Sequence, residues 1–455
     1  MIAIKILKKY FSSYWIRSAF YTILQRFSLT LFGLINFMVL VRVLSHTEMG
    51  IWALFLTVTS VFEASKSGLL KNAHVRYVSS SDIESEKVAI ASSSFIINLI
   101  VSIIFIAFIM LGSEWLSAEL NADLALSSML QWFIPGIICM IFFSHLEAVQ
   151  QSYLDFKGVS VSYLVRQVSF FILIAANLLF KAKLSLNLLA LYQFISILIG
   201  TITLYMFTKK YLVHKYAPKA AWIKKILGYG GYIFGSGIMG NIYSNIDKVM
   251  AAKFISSSSV SFYNTASRIN GMVDIPSYAA AEILFPKTAQ ASAHEGKERV
   301  KYLYEKMVSI LLSFTIPLAI FVILFPKLVI TIIAGSSYLD AVPILQLYML
   351  SSLFRPMQNQ AANLLNSIDK PALCFWINTL GLVEGLLINY ACFYYFGFYG
   401  AAIGTLITSV LGTIFWYFVM RYHIGFEASA IVKYIAEFYK TVYAGLMKIL
   451  NRKEA

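Results

Sequence analysis

Charged side chains interrupt the long apolar segments of this sequence, and they are the residues best placed there to do chemistry. The basic ones are Arg26, Lys66, Arg166, Lys248, Arg268 and Arg355, and the acidic ones are Glu63, Asp247, Asp274, Glu282 and Glu384. Facing lipid at about 2.5–3.5 kcal/mol each, the six basic residues alone would cost about 15–20 kcal/mol, more than a typical domain's stability. We therefore predict that most of these charges pair, reach an interface, or line a water-filled cavity.

The position of each charge within its segment separates these alternatives. Lys66 and Lys248 lie near segment ends, where a long side chain can extend to the interface. Glu63 and Lys66 are three residues apart and can pair on one helical face, and the acids in general are interpreted as pairing or coupling groups. A cavity role is favoured for the three arginines farther from segment ends, which are Arg26, Arg268 and Arg355.

Polar residues at helical spacing accompany two of these charges. One stripe consists of Arg355, Asn359, Asn363 and Asn366, with Gln358 beside it, and a second consists of Asn241, Asn245 and Lys248. Such stripes are typical of a hydrated wall, whereas hydrogen bonds between helices are the alternative. Pro356 predicts a kink directly after Arg355.

The residue types indicate what such a cavity would bind. Guanidinium groups offer paired donors that suit phosphate, and amides, tyrosines and tryptophans suit sugars. An amphiphile with an anionic phosphate head is the ligand that this combination favours. The sequence contains no P-loop, HExxH or GxSxG pattern and no metal-ligand spacing, so we expect no cofactor. We expect transport to be coupled to protons, to sodium or to the membrane potential. His74 and His145 are interpreted as side chains without a chemical role.

The composition identifies the elements that position these residues. The chain has 455 residues, of which 59% are hydrophobic and only 13% charged, with a mean hydropathy of +0.73. These values exclude a water-soluble globule and indicate an all-α polytopic membrane protein. About twelve segments have the length to span a bilayer: 19–43, 50–70, 88–112, 129–150, 159–180, 184–208, 228–251, 260–285, 307–333, 340–365, 371–396 and 399–420.

Basic residues in the connections predict orientation and organisation. The segments 209–227 and 286–306 are rich in lysine and arginine, which places them and both termini in the cytoplasm. The net charge of +15 is therefore assigned to a membrane surface and not to nucleic acid. We predict an amphipathic segment 1–18, a six-helix lobe 19–208, a basic linker 209–227, a second six-helix lobe 228–420 and an amphipathic cytoplasmic tail 421–455.

Four stretches resemble a known family. Residues 40–78 (LVRVLSHTEMGIWALFLTVTSVFEASKSGLLKNAHVRYV) and 245–286 (NIDKVMAAKFISSSSVSFYNTASRINGMVDIPSYAAAEILFP) are similar to the starts of the two lobes of bacterial polysaccharide exporters. Residues 334–354 and 398–408 fit the same pattern. The resemblance is to the Wzx-type flippases of lipid-linked oligosaccharides, in the superfamily that also holds the multidrug and toxin extrusion exporters.

The resemblance implies a V-shaped bundle that works by alternating access in a bacterial inner membrane. Its cargo would be an undecaprenyl-diphosphate-linked repeat unit of O-antigen, capsule or exopolysaccharide, moved from the cytoplasmic to the outer leaflet. Membrane lipid and a polymerase or chain-length machinery are the implied partners, and no enzymatic step is implied. By position, Arg26, Lys66 and Arg268 match the cavity cations of related lipid flippases, although Lys66 stands where an arginine is expected.

Three other functions stay open on the sequence alone. A proton- or sodium-coupled drug exporter of the same fold would use an acidic cavity, which Glu63, Asp247, Asp274 and Glu384 could supply. A lipid II flippase would have about two further spans, for which residues 427–455 are too charged. A membrane enzyme acting on extracytoplasmic glycans is disfavoured by the short outer loops.

Overall fold

Helices make up nearly all of the computed structural model, which describes residues 14–66, 70–79, 81–153, 155–181, 183–212, 216–368 and 370–451. No strand occurs in these ranges, so the predicted all-α class is confirmed. The described residues divide into two compact units, an N-terminal unit of residues 1–245 and 256–260 and a C-terminal unit of residues 246–255 and 261–455.

The N-terminal unit contains the first eight described helices and most of the ninth. They are α1 (Tyr14–Val43), α2 (His46–Lys66), α3 (Asn72–Ser79), α4 (Glu84–Glu119), α5 (Asp123–Trp132), α6 (Ile134–Ser152), α7 (Lys157–Leu179), α8 (Leu186–Thr208) and α9 (Ala220–Phe254). Helix α7 packs between α1 and α8, and the short α3 packs on α4 and α6. Residues at the start of α9 join the apolar core beneath α3, where Ile226 is fully buried.

The C-terminal unit contains the remaining described helices. They are α10 (Ser257–Val273), α11 (Ile275–His294), α12 (Lys297–Leu324), α13 (Pro326–Ile333), α14 (Val342–Ser352), α15 (Arg355–Ser367), α16 (Pro371–Phe396), α17 (Gly400–Ile424) and α18 (Ala428–Asn451). Its core surrounds the buried Tyr304, whose hydroxyl donates to the Met357 carbonyl at 3.1 Å. Helix α18 packs along α12, and the Tyr439 hydroxyl donates to the Ser313 carbonyl at 2.7 Å.

Prolines mark where helices restart. Helices α6, α11, α13, α14, α15 and α16 each carry proline at one of their first two positions, where its missing N–H has no partner to lose. The kink predicted at Pro356 is confirmed, because α14 ends at Ser352 and α15 begins at Arg355. A 46° bend between α5 and α6 likewise interrupts predicted span 129–150.

Six stretches of described helix are long and apolar enough to cross a membrane, or seven if the bent pair α5–α6 is one span. The predicted multi-pass class agrees with this finding. The count of twelve spans, the lobe boundaries and the cytoplasmic position of both termini stay predictions.

The contact between α16 and α17 provides a test of this packing. A Cβ atom at Gly400 would lie 2.5 Å from the Cys392 carbonyl oxygen, whereas one at Gly381 would meet nothing within 4 Å. We expect Gly400→Ala to lower the free energy of unfolding by about 1–3 kcal/mol, the usual cost of overpacking. Gly381→Ala, the matched control on α16, should be neutral or slightly stabilising. Thermal unfolding in detergent checks both, and equal midpoints would contradict the close approach.

Candidate functional site

A cavity of about 310 Å³ lies within the N-terminal unit. It is bounded by α2, α3, α4, α6 and α7 and is called here the charged cavity. Besides His74 and His145, its ionisable wall residues are Glu63, Lys66, Lys71, Glu147, Tyr163 and Arg166. Glu63 and Lys66 come from the last turn of α2, Lys71 lies just before α3, and the others project from α6 and α7.

Both carboxylates of the charged cavity are engaged by cations. Arg166 Nη2 donates to Glu63 Oε1 at 3.3 Å, and Lys71 Nζ donates to Glu147 Oε1 at 2.7 Å. The Tyr163 hydroxyl donates to the other Glu147 oxygen at 3.3 Å. Each of these pairs joins two different elements, so the charged side chains stabilise the packing of the cavity wall as well as lining it.

Lys66 is the third cation of the charged cavity, and it differs from the other two. Its side chain is 3% exposed, and its Nζ has no hydrogen-bond partner among the described residues. The Phe62 ring centroid lies 5.1 Å from Nζ, and the charge of Glu63, which itself pairs with Arg166, also acts on Lys66. The charged cavity therefore holds three basic side chains against two carboxylates, and a bound anion would compensate the cost of a buried ammonium at Lys66.

Further polar atoms around the charged cavity are buried and lack partners in the described part of the chain. They are both ring nitrogens of His74, Ser94 Oγ, Asn98 Oδ1 and Arg166 Nε. Buried polar groups are nearly always hydrogen-bonded, so several orphaned atoms around one cavity indicate a site that a polar ligand or water completes.

Close helix packing fixes Arg166. A Cβ atom at Gly200 of α8 would lie 3.2 Å from Arg166 Cβ and 3.3 Å from the Ser162 carbonyl oxygen. The glycine therefore lets α8 approach α7 directly behind the arginine. Arg166 is buried as a result, and its guanidinium carbon lies 5.8 Å from the Phe143 ring centroid.

A second cavity of about 320 Å³ adjoins the charged cavity, because His74 and His145 line both. The two imidazole rings meet edge to face, with centroids 5.7 Å apart. The other ionisable residues of the second cavity are Lys87, Tyr153, Tyr211 and Tyr216.

The turn between α6 and α7 is tied to the end of α8 beside the second cavity. Asp155 accepts hydrogen bonds from the Lys157 N–H, from Lys210 Nζ and from the Tyr211 hydroxyl. Partial burial opposes the charged form, but these donors outweigh it and hold the pKa of Asp155 below its ordinary value of 3.8. The carboxylate therefore stays charged at neutral pH, and the tie weakens only as the pH falls through this lowered value.

The charged residues of the C-terminal unit form a separate network. Arg355 Nη1 donates to Asp274 Oδ2 at 2.5 Å. With its amide oriented by its partners, Asn270 accepts from the same guanidinium at 3.0 and 3.1 Å. Asp247 accepts from the Tyr348 hydroxyl at 2.5 Å and from the Thr405 hydroxyl at 3.0 Å. These contacts make Arg355 and Asp274 an ion pair between α15 and the start of α11.

Comparison with known proteins shows the family. A model described as polysaccharide biosynthesis protein matches residues 39–343, more than half of the chain. This chain belongs to the polysaccharide biosynthesis protein family. The resemblance to polysaccharide exporters predicted from the sequence is thereby confirmed at family level.

Several curated relatives are similar to this chain at low identity. A membrane protein in the cps region of Klebsiella pneumoniae is 23% identical over 437 residues, covering 93% of this chain and 85% of that protein. The probable low-salt glycan biosynthesis flippase Agl15 of Haloferax volcanii is 22% identical over 191 residues, 42% of this chain and 40% of that protein. The chain thus spans less than half the length of the first curated relatives it matches.

Solved structures of low identity share the fold. An inward closed lipid II flippase MurJ superposes with a TM-score of 0.75 at 16% identity, covering 94% of this chain and 93% of that one. An inward-facing MATE family transporter of the MOP superfamily gives a TM-score of 0.78 at 16% identity, covering 89% and 95%. This chain therefore has the same fold as these proteins, as the sequence predicted.

The structure brings together some of the predicted site residues and separates others. Glu63, Lys66 and Arg166 meet in the charged cavity. Arg355 and Asp274 pair in the other unit. Arg26 and Arg268 are exposed on α1 and α10, and Lys248 and Glu384 are half-buried on α9 and α16. For these last four the assigned roles stay predictions.

The predicted polar stripes largely form hydrogen bonds between helices. Gln358 Nε2 donates to the Ser409 carbonyl at 2.7 Å, and Asn363 Nδ2 donates to the Ala281 carbonyl at 3.0 Å. Asn245 accepts from the Thr57 hydroxyl at 3.4 Å. Asn359 is half-buried. The side chains of Asn241 and Glu282 lie outside the described residues.

Sequence reasoning missed five of the eight ionisable residues that line the charged cavity. Glu147 lies inside predicted span 129–150, so its charge within an apolar segment could have identified it as a site residue. Lys71 follows directly after a predicted span, and no spacing links it to Glu147. His74 and His145 were assigned no role, yet both line the two cavities. Only the fold brings α3 against α6.

Proposed function

We propose that this protein is a flippase that moves a lipid-linked oligosaccharide across a bacterial cytoplasmic membrane, with the anionic head group bound in the charged cavity. The proposed cargo is an undecaprenyl-diphosphate-linked repeat unit, carried from the cytoplasmic to the outer leaflet by alternating access. The observation that carries this proposal is the buried ammonium of Lys66, which has no partner among the described residues.

The charge of the cavity favours a phosphate group over a neutral or cationic ligand. Three cations face two carboxylates, and both carboxylates are already paired. A diphosphate would accept a hydrogen bond from the Lys66 ammonium, whose flexible side chain lets it reach a ligand. It would also accept a hydrogen bond from the Arg166 Nε–H. Family membership and the flippase names of relatives support the same cargo class.

The membrane potential is a proposed driving force. Moving one negative charge outward across a membrane with an inside-negative potential gains about 2.3 kcal/mol per 100 mV. A diphosphate head would therefore be exported favourably without nucleotide hydrolysis. A polysaccharide polymerase or chain-length machinery would be the partner that receives the cargo.

Leaflet exchange in proteoliposomes tests the proposal. A fluorescent polyprenyl-diphosphate-linked oligosaccharide is incorporated with the protein, and a membrane-impermeant quencher reports the outer-leaflet fraction. We expect transfer by the unmodified chain and by Arg299→Gln, which alters an exposed pair with Glu295 and a contact with the Tyr302 ring. Lys66→Met should slow transfer at least about tenfold, the effect of losing one charge-assisted hydrogen bond. Transfer at an unchanged rate would contradict the proposed site.

A drug exporter of the same fold is the second candidate, and Asp247 is the observation that favours it. Its carboxylate accepts from the neutral hydroxyls of Tyr348 and Thr405, an arrangement that could also hold a cation. If this candidate is correct, expression should raise resistance to cationic drugs, and Asp247→Asn should abolish that resistance while Lys66→Met should not.

A further inference from the structure

The histidine pair occupies the wall between the two cavities of the N-terminal unit. His74 is 1% exposed, and neither of its ring nitrogens has a hydrogen-bond partner among the described residues. A neutral imidazole carries one donor and one acceptor, so both functions are left unused. His145 lies edge-on to His74, and its other neighbour is the Phe95 ring at 5.0 Å.

The charges around His74 determine whether its imidazole is protonated. The charged cavity presents Glu63, Lys66, Lys71, Glu147, Tyr163 and Arg166, and its two acids are already paired. The second cavity adds Lys87, which pairs with Glu84, and three tyrosine hydroxyls. Without a bound anion an imidazolium would therefore join an excess of positive charge, and the neutral form is favoured.

An anion in the charged cavity reverses this balance. A diphosphate would bring more negative charge than Lys66 alone neutralises, and a protonated histidine at the same wall would then be stabilised. The second cavity supplies a route for the proton, because at about 30 Å³ per water it holds on the order of ten waters.

We propose that His74 and His145 form a proton-binding pair that gains a proton from bulk water when a diphosphate occupies the charged cavity. The proposal rests on the proposed function and names the ion linked to cargo binding. Because linkage is reciprocal, diphosphate affinity rises as the pH falls through the titration range of the pair. For one linked proton the rise is up to about tenfold per pH unit.

Calorimetry in two buffers of different ionisation enthalpy measures this linkage. Farnesyl diphosphate is titrated into the full chain in detergent near pH 6.5, and the difference in heat between the two buffers gives the number of protons taken up. His74→Gln, His145→Gln and the control His294→Gln are compared with the unmodified chain. His294 is exposed at the end of α11, and protons exchanged by the ligand itself cancel in the comparison.

We expect the unmodified chain and His294→Gln to take up about one proton more than His74→Gln or His145→Gln. If His74→Gln does not fold, His145→Gln decides the question. Equal proton uptake by all variants would overturn the inference while leaving the proposed function intact. An unmodified chain that binds no farnesyl diphosphate would overturn both.

Discussion

Replacing Lys66 with methionine is expected to stabilise the ligand-free protein and to weaken binding of a diphosphate. The ammonium is buried without a described partner, so a methionine of similar length removes a cost of about 1–3 kcal/mol from the folded state. The same change removes a charge-assisted hydrogen bond to the ligand. We therefore expect farnesyl diphosphate to bind about 10- to 100-fold more weakly.

Lys71→Met is the matched control, since Lys71 lines the same cavity but is paired. Its removal leaves Glu147, which is 5% exposed, without its cation. We expect the free energy of unfolding to fall by about 3 kcal/mol. This is the low end for a broken buried pair, because the Lys71 side chain is 26% exposed. Denaturant unfolding in detergent measures both variants. Destabilisation by Lys66→Met as large as that by Lys71→Met would show that Lys66 has a structural partner.

Breaking the Arg355–Asp274 pair should strongly destabilise the C-terminal unit. Asp274 is 6% exposed, but the Arg355 side chain is 30% exposed, so we expect a loss of about 3 kcal/mol in the free energy of unfolding, the low end for a broken buried pair. We expect this loss for Arg355→Gln and for Asp274→Asn. The double variant should lose less stability than the two single variants added together, since both partners are then neutral.

Arg299→Gln controls for the loss of an arginine. Its pair with Glu295 is about half exposed on both sides, so the expected change is within about 1 kcal/mol. Unfolding midpoints of the unmodified chain, the two single variants and the double variant form a double-mutant cycle. If Arg355→Gln matched Arg299→Gln in stability yet abolished export, Arg355 would have the cavity role predicted from the sequence.

The sequence predicted the fold class because composition alone requires a membrane helix bundle. The break at Pro356 was also predictable, since proline removes a helical hydrogen bond. Proline alone does not locate every break: inside predicted span 307–333, α13 restarts at Pro326, whereas Pro317 lies within α12 without ending it. Hydropathy does not distinguish a continuous apolar helix from two that meet at an angle.

The candidate site was only partly predictable, for a geometric reason. Spacing along one helix places Glu63 beside Lys66, but it cannot show that Arg166 approaches from another helix. From the energetic cost of a buried charge, the sequence predicted a partner, an interface or a water-filled cavity for each arginine, and it favoured a cavity for Arg355. That cost does not distinguish a carboxylate from a ligand, and the structure gives Asp274 to Arg355 while leaving Lys66 without a described partner.

The central claim is that the charged cavity selects an anionic head group through Lys66. The most direct measurement compares binding of farnesyl diphosphate and of farnesol, the neutral alcohol with the same tail, to the full chain. We predict that the diphosphate binds at least about tenfold more tightly, and that Lys66→Met removes most of this difference. Equal affinity for the two probes, or a preference unaffected by Lys66→Met, would contradict the claim.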